Sequence, residues 1–122
     1  MILVDTSVWV DYLRGADDAL AAMLEHTVVL MHPMIIGELA CGNLQNREQL
    51  LTLWRNLPSM VTATNDEALY FLEQHRLMGR GIGFIDVHLL AAVALHGDTS
   101  LWIRDQRLAR LADELRLGFT AT

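Results

Sequence analysis

Apolar positions along the chain alternate between short runs that are hydrophobic on both faces and longer stretches with helical spacing. "MILVD" at the start predicts a short strand covered on both sides, as parallel strands in a sandwiched sheet are. "TSVWVDYLRG" then has helical spacing, with Thr6 or Ser7 as its cap and Gly15 just past its end. A second helix is expected from Asp17 to Glu25, followed by a strand at "VVLM", from Val28 to Met31. Pro33 suits the first position of a helix over "PMIIGELACGNL", and a further helix runs from Arg47 to Leu57, stopped by Pro58.

"MVTA" from Met60 carries a faint strand pattern. Thr64 with Glu67 three residues on makes a capping box for a helix running to about Met78. After the break "GRGIG", the segment "FIDVHLLAAVAL" is apolar on nearly every side, which predicts a helix buried all round. "SLWIRD" reads as a strand, "QRLARLADELRLG" as an amphipathic helix, and Gly118 to Thr120 as a final strand. Strands alternating with helices predict one α/β domain over residues 1–122, a three-layer sandwich with a mostly parallel central sheet flanked by helices. Sites in such sheets lie beyond the carboxyl ends of the strands.

Composition narrows the function. The longest uninterrupted apolar run, "LLAAVAL", is far below the roughly 20 residues that span a bilayer, so no membrane role is expected. The opening "MILVD" has no basic region and meets an acid at Asp5, unlike a secretory signal. A single cysteine, Cys41, cannot form an internal disulfide; it is expected as a small buried residue in a cytoplasmic protein. A net charge of −6 argues against coating nucleic acid electrostatically. All nine basic residues are arginine, so lysine-dependent phosphate chemistry is excluded.

Four acids stand at or inside segments that ought to be buried. Asp5 ends the first strand, Glu38 interrupts "PMIIGELACG", Asp86 opens "FIDVHLLAAVAL", and Asp105 follows "LWI" after Arg104. An isolated carboxylate in an apolar setting must be paired, hydrogen-bonded or bound to metal. Asp5 and Asp105 follow strands directly and would project from one sheet edge, which Asp86 and Glu38 could reach from packed helices. Two such charges about 4 Å apart repel by roughly 4 kcal/mol at an effective dielectric near 20, a penalty that a hard divalent cation removes. Oxygen-only donors with retained waters suit Mg²⁺, with Mn²⁺ as the alternative. Asp5, Asp86 and Asp105 also fit plain helix-start roles, and Glu38 alone has no such explanation.

Other polar positions are weaker candidates. Thr6 and Ser7 are caps or partners of Asp5. Arg80 and Arg14 are the first choices for substrate phosphate contacts, and Arg107 is expected on the surface. His26, His32, His75, His88 and His96 have no zinc-ligand spacing, and no nucleotide-binding glycine motif is present. Trp9, Trp54 and Trp102 are expected as core or interface aromatics.

"MILVDTSVWVDYLRG", "HPMIIGELACGNL", "GRGIGFIDVHLLAAVAL" and "LWIRDQRLARLA" together resemble, in order, the PIN-domain proteins, and specifically the VapC toxins of toxin–antitoxin pairs. The resemblance implies a Mg²⁺-dependent endoribonuclease that cleaves structured RNA and inhibits translation. It implies an acidic cluster of Asp5, Glu38, Asp86 and Asp105, with Asp5 and Asp86 at the metal positions and Thr6 and Ser7 in support. It also implies a VapB-like antitoxin as partner and a homodimer, for which the helices after Asp17 and Pro33 offer a surface. Many relatives carry Thr or Ser two positions before the last acid, where this chain has Ile103.

Rival readings make different demands. A receiver domain or haloacid-dehalogenase-like phosphatase also places an aspartate after an early strand. Both use a lysine, which is absent, and the phosphatase needs an acid where Ser7 stands. A catalytically degenerate PIN-like domain that only binds RNA or a partner is the second alternative.

Overall fold

The computed structural model describes residues 1–15 and 18–119. Three short parallel strands form the centre: β1 (Ile2–Val4), β2 (Val29–Leu30) and β3 (Ser100–Trp102), in the order β2-β1-β3. Ile2 pairs with Val29 and with Ser100, and Val4 pairs with Trp102, so β1 is flanked on both sides. Its three residues are fully covered, as its uninterrupted apolar run requires.

The two fainter strands come down to single bridges that widen the sheet at its edges. Ser59 bridges Met31, and Gly118 bridges Leu101, both in parallel sense. Pro58 carbonyl and Met60 N–H exchange bonds with Met31 at 2.8 and 3.2 Å, and the chain then departs toward the Thr64 cap. "MVTA" therefore makes no strand, because only one residue of the β2 edge is available to pair. Gly118 is held the same way through Leu117 and Phe119, and Thr120 lies outside the described residues.

Among the described residues seven helices pack around this sheet: α1 (Thr6–Leu13), α2 (Asp18–His26), α3 (Pro33–Ala40), α4 (Arg47–Asn56), α5 (Asn65–Gln74), α6 (Phe84–His96) and α7 (Gln106–Glu114). The first part of the α2 expectation, Asp17, lies outside the described residues. α1 packs on α2 and α3, α3 on α4, α5 on α6, and α6 on β3. α6 buries seven consecutive residues, Val87 to Val93, which is the all-round burial its composition demands. Trp9 and Trp54 meet edge to face at 5.9 Å in the core, and Trp102 is also buried.

The Thr64 capping box forms reciprocally, with Glu67 N–H on Thr64 Oγ1 at 3.1 Å and Thr64 N–H on Glu67 Oε1 at 2.9 Å. α5 nevertheless ends four residues short of Met78. Leu77 N–H reaches back to Leu72 carbonyl and Arg76 N–H to Glu73 carbonyl, a Schellman closure with Arg76 left-handed at φ 53°. α7 closes identically: Arg116 has φ 59°, and Leu117 N–H bonds Ala112 carbonyl at 2.7 Å.

Two surface expectations are corrected. Cys41 is exposed, since it stands at the C-cap of α3, beyond the turns that face the core. No large exposed apolar side chain among the described residues lies on α2 or α3; Leu69, Tyr70, Phe84, Ile85 and Leu95 place that surface on α5 and α6 instead.

Candidate active site

Parallel pairing sends all three strands out at the same edge, and the chain turns into a helix directly beyond β1. Asp5 is the N-cap of α1, not Thr6 or Ser7. Its N–H donates to Trp102 carbonyl at 3.0 Å, which ties it to the end of β3. Its Oδ2 accepts the Ser7 hydroxyl at 2.8 Å and Ser7 N–H at 3.4 Å, and the residue is only 8% exposed. Arg104 N–H in turn donates to Ser7 Oγ at 3.3 Å, so Ser7 links the first acid to the segment leading to Asp105.

Asp105 is the N-cap of α7 and accepts Leu108 N–H on Oδ1 at 3.0 Å. Asp86 lies in the first turn of α6 and accepts Gly83 N–H on Oδ2 at 3.1 Å. Both therefore fill the helix-start roles that their positions allowed. Glu38, exposed on α3, accepts the Thr6 hydroxyl on Oε1 at 2.8 Å. That bond brings the mid-helix acid beside the residue that follows Asp5. The four acids stand at or inside segments expected to be buried; of the acids themselves Asp5 is buried and Asp86 half-buried, while Glu38 and Asp105 stand on the open side of the cluster.

Each of the four carboxylates thus uses one oxygen in an internal hydrogen bond and keeps the other without a protein partner among the described residues. Among the described residues none of the four enters an ion pair, and Arg104 pairs with Asp11 at 3.4 Å. Asp86 is held above the ordinary carboxylate range, first by burial and then by the charges of Asp5 and Asp105, against the lowering effect of the Gly83 bond. Those charges reach Asp86 from the ends of β1 and β3, so three of the acids share one electrostatic environment.

Among the described residues no three His, Cys, Asp or Glu side chains are gathered into a ready-made cage. Mg²⁺ takes one or two carboxylates directly and keeps several waters, so a pair of hard oxygens with free lone pairs suits it. The donor set fits such an ion and offers nothing soft for zinc or copper.

The arginines divide. Arg80 is engaged by both oxygens of Glu114, at 2.9 and 3.1 Å, at the far end of α7 from Asp105. Arg14 caps the C-terminal end of α1 and lines a depression of about 480 Å³ with Val10, Leu13, Leu44 and Leu50. Arg107, in the first turn of α7, lies against Gly81, where an added Cβ would stand 3.0 Å from its guanidinium. Arg107 stands two positions after Asp105, and its proximity to the loop before α6 was not legible from spacing. Gly81 has φ 82°, which explains a glycine in that loop.

Sequence reasoning also passed over His32. It is the N-cap of α3, its Nδ1 accepting Met34 N–H at 3.0 Å, and it is 2% exposed. Burial, then the charge of His88, lowers its pKa to about 4. The adjacent Pro33, at the first helical position, was the available signal.

Comparison with known proteins gives a consistent set of relatives. Residues 2–114 match the family model described as the PIN domain. The chain is 46% identical over 108 residues to Ribonuclease VapC32 of Mycobacterium tuberculosis, in both strain CDC 1551 / Oshkosh and strain H37Rv, spanning 88% of this chain and 87% of the relative. Among solved structures, FitAB bound to an IR36 DNA fragment superposes with a TM-score of 0.65 at 19% identity, over 93% of this chain and 91% of that one. FitAcB from Neisseria gonorrhoeae superposes with a TM-score of 0.61 at 19% identity, over 93% and 94%. At that identity the two structures speak for the shared fold.

Proposed function

This chain belongs to the PIN-domain family, among the VapC ribonucleases, and on that premise we propose that Asp5, Glu38, Asp86 and Asp105 form the active site of a toxin that cuts RNA. The observation carrying the assignment is the division of labour within each carboxylate. One oxygen is fixed by Thr6, Ser7, Gly83 or Leu108, and the other is left free. A purely structural cap at Asp86 has no need of the charges of Asp5 and Asp105 that reach it.

Asp5 and Asp86 are the two least exposed of the four acids and are the residues that would hold Mg²⁺ or Mn²⁺. When bound, the ion neutralises charge on the scissile phosphate and makes a water more acidic. Glu38, on the open side and oriented by Thr6, is placed to accept the proton of the attacking water as the phosphorus–oxygen bond to the leaving strand breaks. Asp105, also on the open side, helps to orient that water.

An acidic chain of net charge −6 does not hold RNA by bulk attraction, so recognition rests on the shape of a structured or unpaired element and on a few arginines. Arg14 is available for a phosphate contact, whereas Arg80 would first have to leave Glu114. A VapB-like antitoxin would block the site by placing a basic side chain among the four acids, a charge-assisted pairing. The expected homodimer would use the apolar surface of α5 and α6, around Tyr70 and Leu95, where large apolar side chains are most exposed. A cytoplasmic setting suits an RNA substrate.

Purified protein free of antitoxin is expected to cut RNA with Mg²⁺, and to stop with EDTA or with Asp5→Asn. Equal cleavage by wild type and Asp5→Asn would refute the assignment. Absence of cleavage by either, with RNA binding retained, would favour the degenerate alternative, for which Ile103 is the one departure from the family pattern.

A further inference from the structure

Arg107 is exposed in the first turn of α7, two positions after Asp105. That turn carries no acid, and a cation there opposes the helix dipole. Arg80 and Arg104 are held by Glu114 and Asp11, whereas the Arg107 side chain enters no ion pair or hydrogen bond among the described residues. It nevertheless has a definite seat. A Cβ added to Gly81 would stand 3.0 Å from both Arg107 Cδ and Nη1, so the side chain lies across backbone that a glycine leaves bare. Two residues on from Gly81, Gly83 N–H holds Asp86 Oδ2 at 3.1 Å. Arg107 therefore spans from the helix that Asp105 caps to the loop that delivers Asp86, and pairs with neither acid.

Arg110, also exposed and unpaired among the described residues, stands one turn further along the same helix face. One more turn brings Glu114, which takes Arg80 from the same loop at 2.9 Å. A structural role leaves the two free cations unexplained, since the dipole opposes the first and no acid offsets either. We propose that Arg107, with Arg110 behind it, is the track that holds the RNA backbone as it leaves the acidic site, Arg107 gripping a phosphate that neighbours the one being cut. A guanidinium fork matches two phosphate oxygens, and a side chain already seated on Gly81 loses less freedom when it binds. In a chain of net charge −6, two local cations set the register of one strand without attracting RNA in general. The track rests on the reading of the four acids as the cleavage site, but its grip on RNA is measurable apart from cleavage.

The test uses the full chain and one probe, a fluorescent RNA stem-loop with an unpaired loop. In EDTA, where cleavage is not expected, anisotropy titrations are repeated across salt concentrations. Arg107→Gln should weaken binding about tenfold, and should lower the slope of log affinity against log salt by about 0.7, the value for one phosphate contact on a single strand. Arg107→Lys should keep that slope. In Mg²⁺, Arg107→Gln should raise KM about tenfold at unchanged kcat, as the loss of binding shared by substrate and transition state does. Gly81→Ala should raise KM in the wild type and not in Arg107→Gln, the left-handed strain at Gly81 being common to both backgrounds. Arg107→Gln should melt no lower than the wild type. An unchanged salt slope, or no binding of the probe by the wild type, overturns the track, and so does an Arg107→Gln protein that melts lower and loses kcat at unchanged KM. A wild type that binds but never cuts would instead overturn the nuclease reading, while the salt slopes would still decide whether Arg107 holds RNA.

Discussion

Asp86 and Asp105 each accept one backbone N–H in the first turn of a helix, from Gly83 and Leu108, yet their surroundings are opposite. α6 is apolar nearly all round and holds its acid half-buried, whereas α7 is amphipathic and leaves its acid exposed. Capping alone explains Asp105. It does not explain why α6 keeps a carboxylate that burial and two neighbouring charges push toward its protonated form. The difference teaches that one hydrogen-bond motif can be nearly free of cost at one helix and destabilising at the next, and the costly copy is the better marker of a site.

The largest expected effect separates the two acids by activity. Asp86→Asn and Asp5→Asn should each reduce RNA cleavage on the order of 10²–10³-fold, the usual scale for removing one transition-state charge contact. Asp105→Asn should fall nearer tenfold, the scale of a group that orients others, measured as single-turnover rate at saturating Mg²⁺. Equal losses at both positions would erase the distinction.

Stability should separate them in the other direction. Because the folded pKa of Asp86 is raised, its contribution is favourable at acid pH and is lost as pH climbs through its folded value. His32 runs oppositely: its lowered value of about 4 means stability is full above 6.5 and is lost as pH falls toward 4. Thermal melts of metal-free protein across pH should show both limbs, with Asp86→Asn removing only the first. Asp105→Asn should shift stability by a few tenths of a kcal/mol, since asparagine caps about as well.

Much of this was legible from residue pattern. The buried strand at Ile2–Val4, the all-round burial of α6, the Thr64 box and the order of the four acids all follow from local rules that tertiary contacts do not override. What failed did so for nameable reasons. Helix ends were drawn too late because Arg76 and Arg116 occupy left-handed positions where glycine is the usual signal. The bridges at Ser59 and Gly118 have too few residues to carry a two-residue period. Arg80 stands in a loop that suggested phosphate binding, but Glu114, 34 positions away, takes it, and no local pattern reveals such a partner.

The smallest effects test those failures. Arg76→Gly should raise stability by about 0.5–1 kcal/mol by relieving the left-handed penalty. Glu114→Ala should cost no more than about 1 kcal/mol, as exposed ion pairs do, and leave cleavage intact unless the released Arg80 reaches RNA.

The most direct check on the claim that Asp86 serves a cation before it serves its helix is a pair of melting curves, with and without Mg²⁺, for wild type and Asp86→Asn. Without metal the variant should melt higher than wild type, and saturating Mg²⁺ should raise wild type alone, by mass action on the folded state. A variant that melts lower without metal, and that Mg²⁺ stabilises as much as wild type, would return Asp86 to the role of a helix cap.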